Sequence, residues 1–332
     1  MKKILVIRFS SIGDIVLTSP VIRCLAVQLP DTEIHVLTRK VNACLFTSNP
    51  SVKKTIAYDK KLNEVIDLLR VENYDHIVDL HKNIRSFRVR FSLRKPATSF
   101  PKLNIQKYLL VRFKMKPMPD IHIVDRYFEA VKSLGVVNDG RGLDYFFSDA
   151  KKIDTNKWSS DFNNGYYAVV IGGKHTTKIL PVEKVIEVCR LLDKPVVLLG
   201  GNEDAARGKM IAESLKTNVF DACGKLSLDE SARILKVASA VLTNDTGLMH
   251  IAAALHKPIV SVWGNTVPEL GMSPYLPDEP HKSILIENKE IKCRPCSKIG
   301  FDKCPKGHFN CMMTLNSSEI ADKLMNIGNL FS

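Results

Sequence analysis

Short runs of aliphatic and β-branched residues recur along this chain, and each leads into a stretch whose apolar residues return every three or four positions. KILVIRF (3–9), EIHVLTR (33–39) and HIVDL (76–80) are three such runs in the first half. Near-continuous apolarity over so few residues is the pattern of strands buried on both faces of a parallel sheet. IVLTSPVIRCLAVQLP (15–30), NEVIDLLRVE (63–72) and the segment 122–134 carry the helical period between and after them. Pro20 should kink the first of these helices or mark its true start. A strand–helix–strand succession of this kind requires a parallel sheet with helices on both faces.

The pattern then restarts. Residues 148–165 (SDAKKIDTNKWSSDFNNG) are polar and without apolar period, and read as a linker. Strands are expected at 166–173, 195–201, 240–244 and 258–264, with helices at 181–192, 203–215, 228–238 and 246–255. A chain of 332 residues suits two domains at roughly 150 residues each. The expected division is 1–155, 156–316 and a final helix in 317–332 with Ser at its cap, a candidate to pack back on the first domain. Ligands of open parallel sheets bind beyond the carboxyl ends of the strands. That directs attention to the loops 8–14, 79–88, 172–180, 200–204, 243–247 and 264–272.

Composition excludes other classes. Apolar residues at 45% and charged residues at 25% are ordinary for a globular protein and exclude a disordered or fibrous chain. No stretch free of Asp, Glu, Lys and Arg exceeds 12 residues, whereas a membrane-spanning helix needs about 20 apolar ones. The first apolar run is interrupted by Arg8 and has no small-residue cleavage site, so it reads as a strand and the protein as cytosolic. The net charge of +13 is concentrated: residues 81–116 hold eleven Lys/Arg and no Asp or Glu. Such a surface meets anions, whether nucleic acid, a membrane face or an acidic substrate. No RNA-binding signature accompanies it, which favours an acidic substrate or a membrane.

Several loops carry candidate chemistry. Arg8-Phe9-Ser10-Ser11-Ile12-Gly13-Asp14 leaves a strand and enters a helix with one glycine, so it is neither a dinucleotide fingerprint nor a phosphate loop. It offers one carboxylate, Asp14, which fits a helix cap as well as a catalytic group. In the second half, Gly172-Gly173-Lys174-His175-Thr176-Thr177-Lys178, Gly200-Gly201-Asn202-Glu203-Asp204 and Asn244-Asp245-Thr246-Gly247-Leu248-Met249-His250 each follow a strand. Glycine pairs, hydroxyls, a lysine and a helix N-terminus together suit a phosphate-bearing nucleotide. Acids at 203 and 204 suit ribose hydroxyls. Cys293, Cys296, Cys304 and Cys311 form C-x2-C-x7-C-x6-C. The first pair is a metal half-site and the second is spaced too widely for an ordinary zinc ribbon, so a structural zinc or iron knuckle and plain packed thiols both remain open.

RFSSIGDIVLTSPVIRCL, DLHKNIRS (79–86), HIVDRY (122–127), GGKHTTKILP (172–181) and TNDTGLMHIAAAL with PIVSVWGNTVPELGMSPY (258–275) resemble glycosyltransferase family 9, the ADP-heptose:lipopolysaccharide heptosyltransferases. The resemblance covers nearly the whole chain in order. It implies a GT-B fold, two Rossmann-like domains with parallel sheets facing across a cleft, and an inverting transfer that needs no metal cofactor. It implies Asp14 as general base. It implies donor contacts at Thr176, Thr177, Lys178, Glu203 or Asp204, Asp245, Thr246, Gly247, Leu248 and His250, with Lys178 on the phosphates. Acceptor contacts are expected at Ser10, Ser11, Gly13, Lys82, Arg85, Arg88 and Arg126. The implied partners are ADP-heptose, an acidic lipopolysaccharide core (Kdo-lipid A or a heptosylated core) and the anionic cytoplasmic face of the inner membrane, with no nucleic acid. Another nucleotide sugar of cell-envelope glycan synthesis, and nucleic-acid binding through 81–116, are the rival readings. The four cysteines depart from the best-known members.

Overall fold

The computed structural model describes residues 1–148, 162 and 164–331, so most of the expected linker lies outside the described residues. In chain order the elements are β1 (Lys2–Ile7), α1 (Ile12–Val16), α2 (Ser19–Gln28), β2 (Thr32–Arg39), α3 (Cys44–Thr47), β3 (Lys54–Tyr58), α4 (Asn63–Val71), β4 (His76–Asp79), α5 (Ile84–Leu93), β5 (Ala97–Ser99), α6 (Asn104–Phe113) and α7 (Ile123–Phe128). They continue as β6 (Tyr167–Val170), α8 (Val182–Arg190), β7 (Val196–Leu199), α9 (Ala205–Leu215), β8 (Val219–Asp221), α10 (Leu228–Val237), β9 (Ala240–Asn244), α11 (Gly247–Ala254), β10 (Ile259–Trp263), β11 (Ser283–Glu287), α12 (Asn310–Met313) and α13 (Ser317–Leu330). Among the described residues, no helix is long and apolar enough to cross a membrane.

Two compact units result. The first comprises residues 1–103 and the chain from 121 to the end of the described stretch at 148; the second holds 104–120 and the described residues from 162 onward. The first sheet has the order β3-β2-β1-β4-β5 and the second β11-β10-β9-β6-β7-β8, every pair parallel. The strand order therefore reverses beside β1 in one sheet and beside β6 in the other. At such a switch point the connections on either side diverge to opposite faces and leave a crevice at the strand carboxyl ends.

The predicted elements stand, except that the helix expected over 122–134 is α-helical only over Ile123–Phe128, and with three further differences. Pro20 does mark a helix start: α1 ends at Val16 and α2 begins at Ser19, with the proline in its first turn, where its missing N–H costs nothing. Helix α6, inside the basic segment, groups with the second unit, because Leu110 and Met118 pack on Val267 and Leu270. The all-positive run is thus shared between the units and is not a property of the first alone. Helix α13 stays in the second unit, where Ile320, Ala321, Leu324 and Ile327 join the core of Tyr167, Val188, Leu242 and Val260. A Cβ on Gly328 would come 2.7 Å from the Tyr167 ring, so this residue lets the helix seat closely. The expected return of the last helix to the first unit is not what its packing gives.

At the edge of the first sheet, Glu72 gathers Lys3 at 2.9 Å and Lys54 at 2.5 Å. Hydrogen bonds from Lys54 and Lys3 hold its carboxyl down at about 2. An unfolded Glu titrates near 4.3, so this group stabilises the fold above that pH, and the contribution disappears as pH falls toward 2. Glu72→Gln should cost about 1–2 kcal/mol at pH 7, allowing for solvent screening of the pair. The gap to wild type should close by pH 2–3, as read from urea unfolding across pH; a gap independent of pH would contradict the assignment.

Candidate active site

The first unit's crevice lies between the ends of β1 and β4, and Arg8 spans it. Its side chain is buried, and Nε donates to Ser10 O at 3.1 Å. One terminal nitrogen donates to Leu80 O, and the other pairs with Asp14 Oδ1 at 2.5 Å. The Tyr127 ring lies 5.5 Å from the guanidinium. Asp14 is the third residue of α1, and its Oδ2 accepts from the Ser11 amide at 3.1 Å and the Ser11 hydroxyl at 2.7 Å. The cap position belongs to Ser11, and Asp14 reaches back to it. Asp14 remains partly exposed, a carboxylate held by three donors, the Arg8 guanidinium and the Ser11 amide and hydroxyl.

On the other side of this crevice Asp79 shapes the loop. Its Oδ1 accepts from the amides of His81 and Lys82 at 3.0 and 2.7 Å, and its Oδ2 from the Ser86 hydroxyl at 2.8 Å. This turn starts α5 and sets Arg85 beside Phe9, with the guanidinium 5.9 Å from the ring. Lys82 Nζ is held on Phe100 O at 2.8 Å and Arg88 on Asn63 Oδ1 at 3.3 Å, both side chains outward. Burial and the nearby Arg8 push His81 down to about 3, so it stays neutral at physiological pH. Arg126, expected to contact an acceptor, is buried at 2% exposure and does not reach the surface. Gly13 is likewise buried, whereas Ser10 and Ser11 are accessible.

In the second unit the crevice lies between β6 and β9, and Asn244 spans it. Its amide nitrogen donates to Val170 O at 3.1 Å and Gly172 O at 3.3 Å, and its oxygen accepts from Leu180 N at 3.0 Å. That places the turn Thr176–Lys178 over the next residue, Asp245. Lys178 Nζ and Asp245 Oδ2 are 2.6 Å apart, and Thr266 Oγ1 donates to the same oxygen at 2.9 Å. Thr246 caps α11 by accepting from Leu248 N at 3.3 Å, so the positive end of that helix starts beside Asp245 in the chain. A lysine, a hydroxyl network and a helix N-terminus converge here, as a diphosphate requires.

Not every expected donor residue is available. Thr176 is exposed, but the Thr177 hydroxyl is occupied: it donates to Phe301 O at 2.9 Å and accepts from Phe301 N at 2.8 Å. His250 is buried at 2% exposure. Asp204 is buried too, binding the Gly201 amide at 2.9 Å and Arg207. A Cβ on Gly172 would sit 2.2 Å from its Oδ2 and one on Gly200 2.7 Å from its Cβ. Gly172 and Gly200, one from each glycine pair, thus make room for the protein's own carboxylate. Glu203, next door, is exposed.

Nothing in the arrangement of the four cysteines supports a metal site. Among the described residues, no three His, Cys, Asp or Glu side chains come together as metal ligands. Burial, then the neighbouring Cys293, push the Cys296 thiol up to about 12, and burial pushes Cys311 up to about 11. Order in this apolar-poor loop comes instead from Arg294, which sequence reasoning missed. Its Nε donates to Gly264 O, and Nη1 to Asn288 O at 2.8 Å. Its Nη2 reaches Trp263 O and Thr266 O, both at 3.1 Å, and Glu287 Oε2 at 2.8 Å. Lys114 Nζ adds a bond to Pro295 O at 2.6 Å. The loop in turn clamps Thr177, and so the turn that carries Lys178.

Two doubly wound units, each with its polar groups at the switch point, are those of the GT-B class of glycosyltransferases. The pattern of Glycosyltransferase family 9 (heptosyltransferase) matches residues 63–300, and the chain belongs to that family. A lipooligosaccharide heptosyltransferase 2 of Haemophilus influenzae is 24% identical over 90% of this chain and 92% of its own. Two solved structures share the fold at 21% identity. The E. coli ADP-heptose lps heptosyltransferase II has a TM-score of 0.69 and covers 99% of both chains. The glycosyl transferase family 9 protein of Veillonella parvula has a TM-score of 0.76, over 99% of this chain and 97% of the other.

Removing one partner of a buried ion pair typically costs about 3–5 kcal/mol. Arg294→Ala should lower unfolding stability by about 3 kcal/mol or more, measured by denaturant titration. A loss under about 1 kcal/mol would mean that the cysteine loop is ordered by something else.

Proposed function

We propose that this glycosyltransferase moves heptose from ADP-heptose to an acidic sugar of the lipopolysaccharide inner core. The observation that carries the reading is the Lys178–Asp245 pair beside the α11 N-terminus, in a family whose members act as heptosyltransferases. The donor's diphosphate meets Lys178, the Thr176 hydroxyl and the amide of Gly247. Asp245 and Thr266 keep the lysine aimed rather than binding the anion themselves. Glu203, not Asp204, accepts from the ribose hydroxyls, since the Asp204 carboxylate is already engaged.

In this reading Asp14 takes the proton of the attacking hydroxyl. The new C–O bond forms at the anomeric carbon on the face opposite the diphosphate, the bond to the diphosphate oxygen breaks, and configuration inverts. Charge then grows on the departing ADP, where Lys178 and the helix N-terminus stabilise it. Arg8 and Ser11 fix the orientation of the Asp14 carboxylate. The acceptor is lipid-borne and anionic, so the enzyme works at the cytoplasmic face of the inner membrane, with Lys82, Arg85 and Arg88 on acceptor carboxylates or phosphates.

The direct test is incubation with ADP-heptose and heptose-deficient lipopolysaccharide, with mass spectrometry of the product; a gain of one heptose supports the reading, and a gain only with another nucleotide sugar overturns the donor. Asp14→Asn should lower kcat by about 10²–10⁴-fold with donor affinity nearly unchanged; more than a tenth of wild-type turnover would remove Asp14 as base. Glu203→Gln should raise the donor KM about tenfold and largely spare kcat, the loss expected of a hydrogen bond to a charged group. An unchanged donor KM would leave the ribose without this partner.

A further inference from the structure

Helix α5 has a buried face that holds it and, opposite, an exposed apolar one. Ser86, Val89 and Leu93 are buried against the first unit. Ile84, Phe87 and Phe91, with the same spacing of three and four, point the other way at 81%, 59% and 68% exposure. The two phenyl rings stack on each other, their centroids 6.3 Å apart. Single exposed apolar residues are commonplace, but three in register on one helix are a surface. The helical period sets Arg88 on one border of this stripe, and Arg94 caps the helix at its end, both exposed. Arg85 and Lys95 lie nearby, and no acid occurs anywhere in residues 81–116.

Charge decides the occupant. An apolar ridge with cations beside it fits the boundary between headgroups and acyl chains of an anionic bilayer. There the rings leave water and the guanidiniums remain at the phosphate level. Two copies of the same face would bring Arg85, Arg88 and Arg94 against their own kind with no carboxylate to pair them. We propose that the Ile84–Phe87–Phe91 face of α5 inserts into an anionic lipid leaflet. The proposal rests on the reading that the acceptor is membrane-borne and adds the surface, the lipid charge and the mode of contact. Docking through α5 would hold the adjacent Lys82–Arg85 loop, and with it Asp14, at the height of an inner-core sugar.

The test uses the whole protein with vesicles of phosphatidylcholine alone and of phosphatidylcholine with 25% phosphatidylglycerol, in about 0.1 M salt. Co-sedimentation should favour the anionic vesicles, and Phe87→Ser with Phe91→Ser should weaken that binding at least tenfold. Both positions are exposed, so the fold should survive. Transfer to a deacylated, water-soluble acceptor should be unchanged in the double variant. Phe91→Trp should blue-shift its emission on adding anionic vesicles and be quenched by brominated acyl chains. Equal binding by wild type and double variant would overturn insertion, leaving only a charged surface. Equal binding to neutral vesicles, tighter binding to single-stranded oligonucleotide than to vesicles, or a wild-type dimer that the double variant dissolves would each overturn the lipid assignment. Failure of transfer to the soluble acceptor by wild type would count against the proposed reaction, not against insertion.

Discussion

One buried polar side chain crosses the switch point of each sheet, and the candidate chemistry on both units depends on it. In the first, Arg8 ties the end of β1 to the carbonyl of Leu80 after β4 and ends on Asp14. In the second, Asn244 at the end of β9 ties down the carbonyls of Val170 at the end of β6 and of Gly172 just after it. A parallel sheet provides no ladder partner for the backbone that diverges at this crevice, so an unbridged crevice would leave buried carbonyls unsatisfied. The two solutions differ in charge, and so do their consequences. An arginine attracts and orients a carboxylate suited to accepting a proton. A neutral amide leaves the positive end of α11 and Lys178 to dominate, which suits a phosphate.

The same reasoning explains why the cysteine loop matters to a site it does not enter. Arg294 draws the carbonyls of Trp263, Gly264 and Thr266 around one guanidinium, fixing the loop after β10. From there Thr266 bonds Asp245, and Phe301 of the cysteine loop bonds Thr177 on both its amide and its carbonyl. The turn bearing Lys178 is thereby held from two sides by residues with no role in chemistry of their own. A single cation with several backbone acceptors can organise a loop poor in apolar groups, the task that the cysteine spacing suggested for a metal.

What could be read from the residues follows burial. The seven strands expected from apolar runs all sit inside the sheets. The four that were not expected, β3, β5, β8 and β11, are the four sheet edges. An edge strand is covered on fewer sides, so its sequence keeps polar residues and loses the apolar signature. KTIAY, ATS and VFD look like loop until their neighbours are known. In the site, residue type was legible and availability was not. Thr176 and Thr177 are equivalent as letters, and so nearly are Glu203 and Asp204. Only tertiary contacts with Phe301, Gly201 and Arg207 separate an open group from an occupied one. Arg8 left a trace, since a cation at the end of a buried strand must find partners. Arg294 left none, because its five acceptors are scattered in sequence and are mostly backbone.

The basic segment carries the last step. As a linear run its eleven cations look like one surface with one purpose. The fold divides them. Lys82 to Lys95 decorate the first unit around α5, where the exposed apolar stripe gives the charge an amphipathic context. Residues 104–116 belong to the second unit, where Lys114 is drawn inward to Pro295 and burial lowers its proton affinity. Six of the eleven, Lys82, Arg85, Arg88, Arg90, Arg94 and Lys95, lie on or beside α5. Charge of this kind steers an anionic partner before contact, while the apolar stripe acts only after water has been displaced. Salt should therefore slow encounter with an anionic surface more than it weakens the seated state, because burial of phenyl rings is not screened.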